Sequence, residues 1–124
     1  VLTHVIIDAV LGALGAGDIG QLFPDTDPTY AGINSLCLLA QVRERLQGSG
    51  IEIINIDAVV KAQAPKLAPH VDAMCASMAA VLEVSSRSIS VKATTTEHLG
   101  FVGRQEGMAA QATTLLRVPA SLDV

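Results

Sequence analysis

Four consecutive side chains, Thr94, Thr95, Thr96 and Glu97, set three hydroxyls beside one hard carboxylate. A hydroxyl both donates and accepts, and carboxylate oxygen suits magnesium-like cations, so the cluster fits a phosphate carrying a divalent ion. Threonine is also a β-former, and strand-end threonines beside a solvated glutamate are an ordinary arrangement that needs no ligand. The cluster closes an alternating β-branched run in which Ile89, Val91 and Ala93 stand against Ser88, Ser90 and Lys92. It then opens a glycine-punctuated turn that passes through Phe101 and Arg104 to Gly107.

Two further groupings carry chemistry. His4 and Asp8 are four residues apart, which on a helix places them on one face within reach of each other. A histidine oriented by a carboxylate is how metal-ligating imidazoles are held, and a surface His–Asp pair without metal is at least as common. From Gly15 to Gly32 the chain reads as a long acidic loop in which Asp18, Asp25 and Asp27 lie among glycines and prolines. Ordered loops of that length inside a domain are usually functional. Carboxylates there can take sugar hydroxyls through two hydrogen bonds. A solvated connector built from Asx-turns is the competing reading.

The elements that must position these groups follow from periodicity. Apolar spacing predicts a helix over 1–14, with Val1, Val5, Ala9 and Gly12 on one stripe and His4, Asp8 and Leu11 on another. Asn34 or Ser35 caps a second helix that ends near Gly48 and Gly50 and buries Leu36, Leu39, Val42 and Leu46. A strand spans 51–62. The turn AQAPKLAPH follows, whose prolines leave backbone groups exposed beside Lys66. Pro69 starts a third helix that runs to about Val84 and turns Val71, Met74, Met78, Ala79 and Leu82 inward. His70 sits at that N-terminus as a surface or capping residue. A strand spans 88–93, and 107–117 fits a helix by alanine content or a strand by its TTLLRV ending. Helix, helix, strand, helix, strand and a final element describe an α/β sandwich with helices on one face of a sheet.

Composition narrows the partners. At 124 residues the chain is one domain that buries roughly two-thirds of its unfolded surface. Half of it is hydrophobic, 16% is charged and 2% is aromatic, so the core is aliphatic and the spare apolar surface points to self-association. A net charge of −4 without a basic patch excludes a nucleic-acid footprint. Any phosphate must therefore be met by metal ions, hydroxyls and backbone amides. Cys37 and Cys75 lack metal-type spacing and read as free, buried thiols in a reducing compartment. The apolar stretch 1–16 is too short and too glycine-rich to span a membrane. The sequence starts at Val1 within a helix already in progress, so a segment ahead of it is expected.

Three runs, DAVLGALGAGDIGQLFPDTDP (8–28), KAQAPKLAPH (61–70) and VKATTTEHLGFVGRQEG (91–107), resemble the 2-C-methyl-D-erythritol 2,4-cyclodiphosphate synthase family of the non-mevalonate isoprenoid pathway. They stand in that family's order and spacing, and the resemblance covers essentially the whole chain. It implies a homotrimer of α/β subunits, sheets toward the three-fold axis and helices outside, with active sites between neighbouring subunits. It implies that the segment 106–116 is a strand. The implied reaction converts 4-diphosphocytidyl-2-C-methyl-D-erythritol 2-phosphate to the 2,4-cyclodiphosphate and CMP, in the bacterial cytoplasm or, less expectedly, a plastid-type organelle.

By that resemblance His4 is one of three protein ligands of a zinc or similar transition-metal ion, with Asp8 beside it. Asp18, Ile19 and Gly20 hold the ribose of the cytidine nucleotide. Phe23, Pro24, Asp25, Thr26 and Asp27 close over the methylerythritol part. Ala62, Gln63, Ala64, Pro65, Lys66, Leu67 and Ala68 form the cytosine pocket. Thr94, Thr95 and Thr96 meet the diphosphate, with Thr95 stabilising the transition state. Glu97 holds magnesium or manganese, while Phe101 and Arg104 lie near the trimer axis and the phosphate end. The family's Asp-x-His pair of zinc ligands lies upstream, so residues 1–124 are expected to be one synthase domain without its first strand. Two other readings remain: a truncated homologue that binds cytidine nucleotides or isoprenoid diphosphates without turnover, and the cyclase half of a fused cytidylyltransferase/cyclase.

Overall fold

The computed structural model describes residues 2–22 and 34–120, the side chains of 19 and 22 excepted. Helix α1 (Leu2–Ala13) leads into a short α2 (Ile19–Leu22), so the stretch read as a loop from Gly15 carries a helical turn. Residues 23–33 lie outside the described residues. The chain resumes with α3 (Ser35–Gly48) and β1 (Glu52–Lys61). A 3-10 turn (Ala68–His70), α4 (Val71–Leu82) and a second 3-10 turn (Ser86–Ser88) precede β2 (Ile89–Thr94). A short α5 (Gly100–Gly103) and β3 (Ala109–Arg117) follow. The element at 107–117 is thus a strand.

Strand β1 is central, parallel to β2 and antiparallel to β3. The unit β1–α4–β2 is a parallel crossover, which needs a helix-length connection. On β1, Ile53, Ile56, Ala58 and Val60 are buried. Ile53 and Ile56 share a face although three apart, because the β1–β3 register shifts between Ile53 and Asn55 and one extra residue is bulged out. These side chains join Ile89 and Val91 of β2 and the inner faces of α1, α3 and α4 in one hydrophobic cluster. The opposite face of the sheet carries Asp57 and Lys92, ion-paired across β1 and β2 at 2.7 Å, with Gln111 and Thr113 alongside. Helices therefore cover one face and polar groups line the other.

Local signals explain the helix ends. Asn34 is the cap of α3, its Oδ1 accepting from the Leu36 N–H at 2.8 Å. At the other end the Ile51 N–H donates to Leu46 O and the Gly50 N–H to Gln47 O, with Gly50 at φ 69°. That is a Schellman ending, and it requires the left-handed residue that glycine supplies without penalty. Helix α4 ends the same way on Glu83 at φ 57°, whose carboxylate accepts from Gln47 Nε2 at 2.7 Å.

Several expectations are corrected. The buried stripe of α1 is Ile6, Ile7, Val10 and Leu11, which takes only Leu11 from the two stripes read from spacing. In α3 Leu38 is buried where Leu36 was expected, and Leu36 packs only at the margin of the core. Pro69 lies in the 3-10 turn, and α4 begins after His70, which is exposed and makes no side-chain cap bond. Met74 and Val71 are half-buried, and Cys75 takes the inward position on α4. Cys37 is exposed rather than buried.

Candidate functional site

The site begins at the carboxyl ends of the two parallel strands, where open α/β sheets place their ligand crevices. Lys61 of β1 and Thr94 of β2 are register partners, and the Ala62 N–H donates to Thr94 O at 2.9 Å. Two turns leave from that point. One carries Ala62 to Ala68 into the 3-10 helix, and the other carries Thr95 to Leu99 into α5. Between them lies a cavity of ≈ 260 Å³. Gln63, Pro65, Lys66, Leu67 and the alanines at 62 and 68 line one side, and Ala93, Thr94 and Thr95 line the other. Ala64, joined to Pro65 by a cis peptide bond, is part of the turn without lining the cavity.

The three threonines are not equivalent. The Thr94 hydroxyl donates to Thr95 O at 3.2 Å, and the Thr96 hydroxyl donates to Leu99 O at 2.7 Å, so both are engaged in the turn. The Thr95 Oγ1 instead accepts, from the Glu97 N–H at 3.3 Å. A hydroxyl whose acceptor site is used by an amide still has its proton to donate, and Thr95 lines the cavity. Thr95 is thus the threonine equipped to donate to an anionic ligand.

Glu97 and His98 both occupy the left-handed region, at φ 55° and 62°. Two such residues in succession cost about 1–3 kcal/mol each and persist only where the surroundings over-determine them. Gly103 supplies one restraint. A Cβ built on it would stand 2.6 Å from His98 Cα and closer still to the carbonyl carbon, so only glycine lets α5 pack against this turn. Gln63 supplies another, its Oε1 accepting from the His98 N–H at 2.9 Å. Nothing in the spacing of Gln63, His98 and Gly103 signals these contacts, since the first pair is 35 residues apart.

None of the remaining expected residues that are described lines this cavity. Asp18 caps α2, its Oδ1 accepting from the Gln21 N–H at 2.9 Å, and Gly20 lies within that helical turn. Of Ile19 only the backbone is described, and Phe23, Pro24, Asp25, Thr26 and Asp27 lie outside the described residues. Phe101 is half-exposed on α5. Arg104 grips Glu106 through two bonds of 3.0 and 3.1 Å, and its side chain does not line the cavity.

Metal chemistry can be tested against the donors in place. Glu97 offers an exposed carboxylate next to the threonine hydroxyls, which is the protein contribution that magnesium usually takes when substrate phosphates supply the rest. His4 is exposed on α1 with Asp8 one turn on. Among the described residues no three His, Cys, Asp or Glu side chains converge, so these residues do not form a complete zinc set. No helix among the described residues is long and apolar enough to cross a membrane.

A three-stranded mixed sheet under a helical layer, with its crevice at the parallel strand ends, defines an α/β domain built to take a small ligand. Residues 1–117 match the YgbB family, and the chain belongs to that family. It is 55% identical over 117 residues to the 2-C-methyl-D-erythritol 2,4-cyclodiphosphate synthase of Desulforamulus reducens, a match covering 94% of this chain and 74% of the relative. The bifunctional IspDF from Campylobacter jejuni aligns with TM-score 0.88 and 47% identity, covering 94% of this chain and 31% of that one. The Plasmodium falciparum IspF in complex with CDP aligns with TM-score 0.82 and 34% identity, covering 94% and 69%. The chain is an enzyme of this family, whose members similar to it include single-activity synthases and bifunctional enzymes.

Proposed function

We propose that this chain converts 4-diphosphocytidyl-2-C-methyl-D-erythritol 2-phosphate into 2-C-methyl-D-erythritol 2,4-cyclodiphosphate and CMP. The observation that carries this reading is the meeting of the Ala62–Ala68 turn and the Thr94–Glu97 turn around one crevice, a nucleotide-sized contact on one side and a phosphate-binding chemistry on the other. The family membership and the CDP complex of the Plasmodium falciparum relative support it.

In the reaction an oxygen of the 2-phosphate attacks the β-phosphorus. The new P–O bond closes the ring, the bond from the β-phosphorus to the oxygen bridging the α-phosphorus breaks, and CMP leaves with that oxygen. No bond to the protein forms, so catalysis is positioning and charge stabilisation. The backbone of residues 62–68 reads cytosine, with Lys66 near the nucleotide. Asp18, Ile19 and Gly20 take the ribose, and the segment Phe23–Asp27 takes the methylerythritol hydroxyls. Thr94 and Thr96 shape the phosphate turn. The free proton of the Thr95 hydroxyl is donated to phosphoryl oxygens as negative charge builds on them. Glu97 would hold magnesium or manganese, an ion that would supply positive charge against the phosphates. His4 would give one imidazole to a zinc or similar site, with Asp8 beside it.

The assembly proposed is a homotrimer, with sheets toward the axis and active sites between subunits. Its support here is the exposure of Leu99, Phe101 and Met108 around α5 and the start of β3, apolar side chains of the kind that subunit interfaces cover. Arg104 and Phe101 would lie near that axis, and a cytoplasmic location is preferred to a plastid-type one.

The test is a thermal-shift titration with CDP against ADP in magnesium, followed by turnover of the diphosphocytidyl substrate. A specific site stabilises the native state by about 2.7 kcal/mol at a hundredfold excess over Kd. CDP should raise Tm and ADP should not. An equal shift with both, or CMP release without ring closure, rejects the assignment.

A further inference from the structure

We infer that Gln63 is a positioning residue for phosphoryl transfer, tying the nucleotide side of the crevice to the turn that carries Thr95 and Glu97. The inference rests on the reaction proposed above. It starts from the amides of that turn. The Glu97 N–H goes to Thr95 Oγ1 and the Leu99 N–H to Thr96 O, both within the turn itself. The His98 N–H between them goes outside, to Gln63 Oε1 at 2.9 Å. Only the oxygen end of the amide can accept from an N–H, so the orientation of Gln63 is set by this bond.

Gln63 stands on the turn leaving β1 and lines the cavity that receives the nucleotide. His98 follows Glu97 directly in the left-handed pair, and Gly103 presses on His98 from the α5 side. The peptide that aims the Glu97 carboxylate is thus fixed between α5 and a side chain of the neighbouring turn. Removing the acceptor leaves the His98 amide without its partner and frees the turn to relax toward ordinary φ values. Such a relaxation moves Glu97 and the Thr95 hydroxyl bonded to its amide together. A misplacement of about 1 Å at the reacting centre costs on the order of a hundredfold in rate.

The experiment compares Gln63→Met, which keeps the length and removes the acceptor, with wild type in the full-length protein. It measures kcat, the Kd for CDP and the magnesium concentration giving half-maximal rate. If Gln63→Met does not fold, Gln63→Asn keeps the amide but is one methylene too short to reach His98. The expected result is a fall in kcat on the order of a hundredfold. Half-maximal magnesium should rise, and CDP affinity should stay within about twofold, since the cytosine contacts are backbone groups. A variant with wild-type kcat overturns the inference. So does one that loses CDP affinity and kcat in equal proportion at unchanged magnesium dependence. Wild-type protein that neither binds CDP nor turns over would instead sink the reaction itself, so the two failures are distinguishable.

Discussion

Lys61 and Thr94 face each other on the last rung of the parallel β1–β2 pair, and the next amide along, that of Ala62, donates to Thr94 O at 2.9 Å. The two turns that build the crevice therefore start side by side. The site depends on that rung, because it brings residues 25 to 33 positions apart in sequence to either side of one cavity.

Glu97→Gln keeps the size of an exposed side chain and removes its charge. The fold should be unaffected, within about 0.5 kcal/mol, as for most surface substitutions. Turnover at fixed magnesium should fall on the order of a hundredfold, while CDP binding without magnesium stays level. Steady-state rates across a magnesium series check this, and wild-type dependence would remove Glu97 from the metal site.

His4→Ala removes an exposed imidazole from α1, so the melting temperature of the metal-free protein should hardly move. Bound zinc, read by elemental analysis of the purified protein, should drop. Unchanged zinc would show that His4 is not a ligand.

Gly103→Ala forces a Cβ into the His98 backbone. Over-packing of this kind costs about 1–3 kcal/mol, and here the neighbour is main chain that cannot rotate away. Chemical denaturation should report that loss, and the rate should fall with it as the Glu97–His98 turn shifts. A fully stable Gly103→Ala variant would mean that α5 can slide.

Burial pushes the Cys75 thiol above its ordinary 9.0, and the nearby Asp72 adds to the rise against the lowering effect of a hydrogen bond with the Val91 backbone. Above pH 9.0 the unfolded chain releases a proton that the folded chain keeps, so stability falls as pH climbs through this range. Cys75→Ala should flatten that alkaline loss in a pH series of unfolding curves. In the same protein iodoacetamide should label the exposed Cys37 first and reach Cys75 only on unfolding.

Sequence alone determined the features whose causes are local. A cap at Asn34 or Ser35, a strand within one residue of 88–93 and the aliphatic core all follow from hydrogen-bonding groups and periodicities spanning a few residues. The resemblance carried by the 61–70 and 91–107 runs placed both halves of the crevice, because family likeness records long-range geometry that periodicity does not. It did not reveal what each residue does within the turn.

Tertiary structure decided the rest. Whether 107–117 was helix or strand depended on the open edge of β1 that pairs it. The stripe that α1 buries was settled by the helices and sheet it meets, not by its nearly uniform apolarity. The bulge that turns both Ile53 and Ile56 inward exists only between two paired strands. Most consequentially, the left-handed Glu97–His98 pair is unfavourable for its own residues. It is held by Gln63 and Gly103 through a hydrogen bond and a close approach that exist only once β1, β2 and α5 have come together.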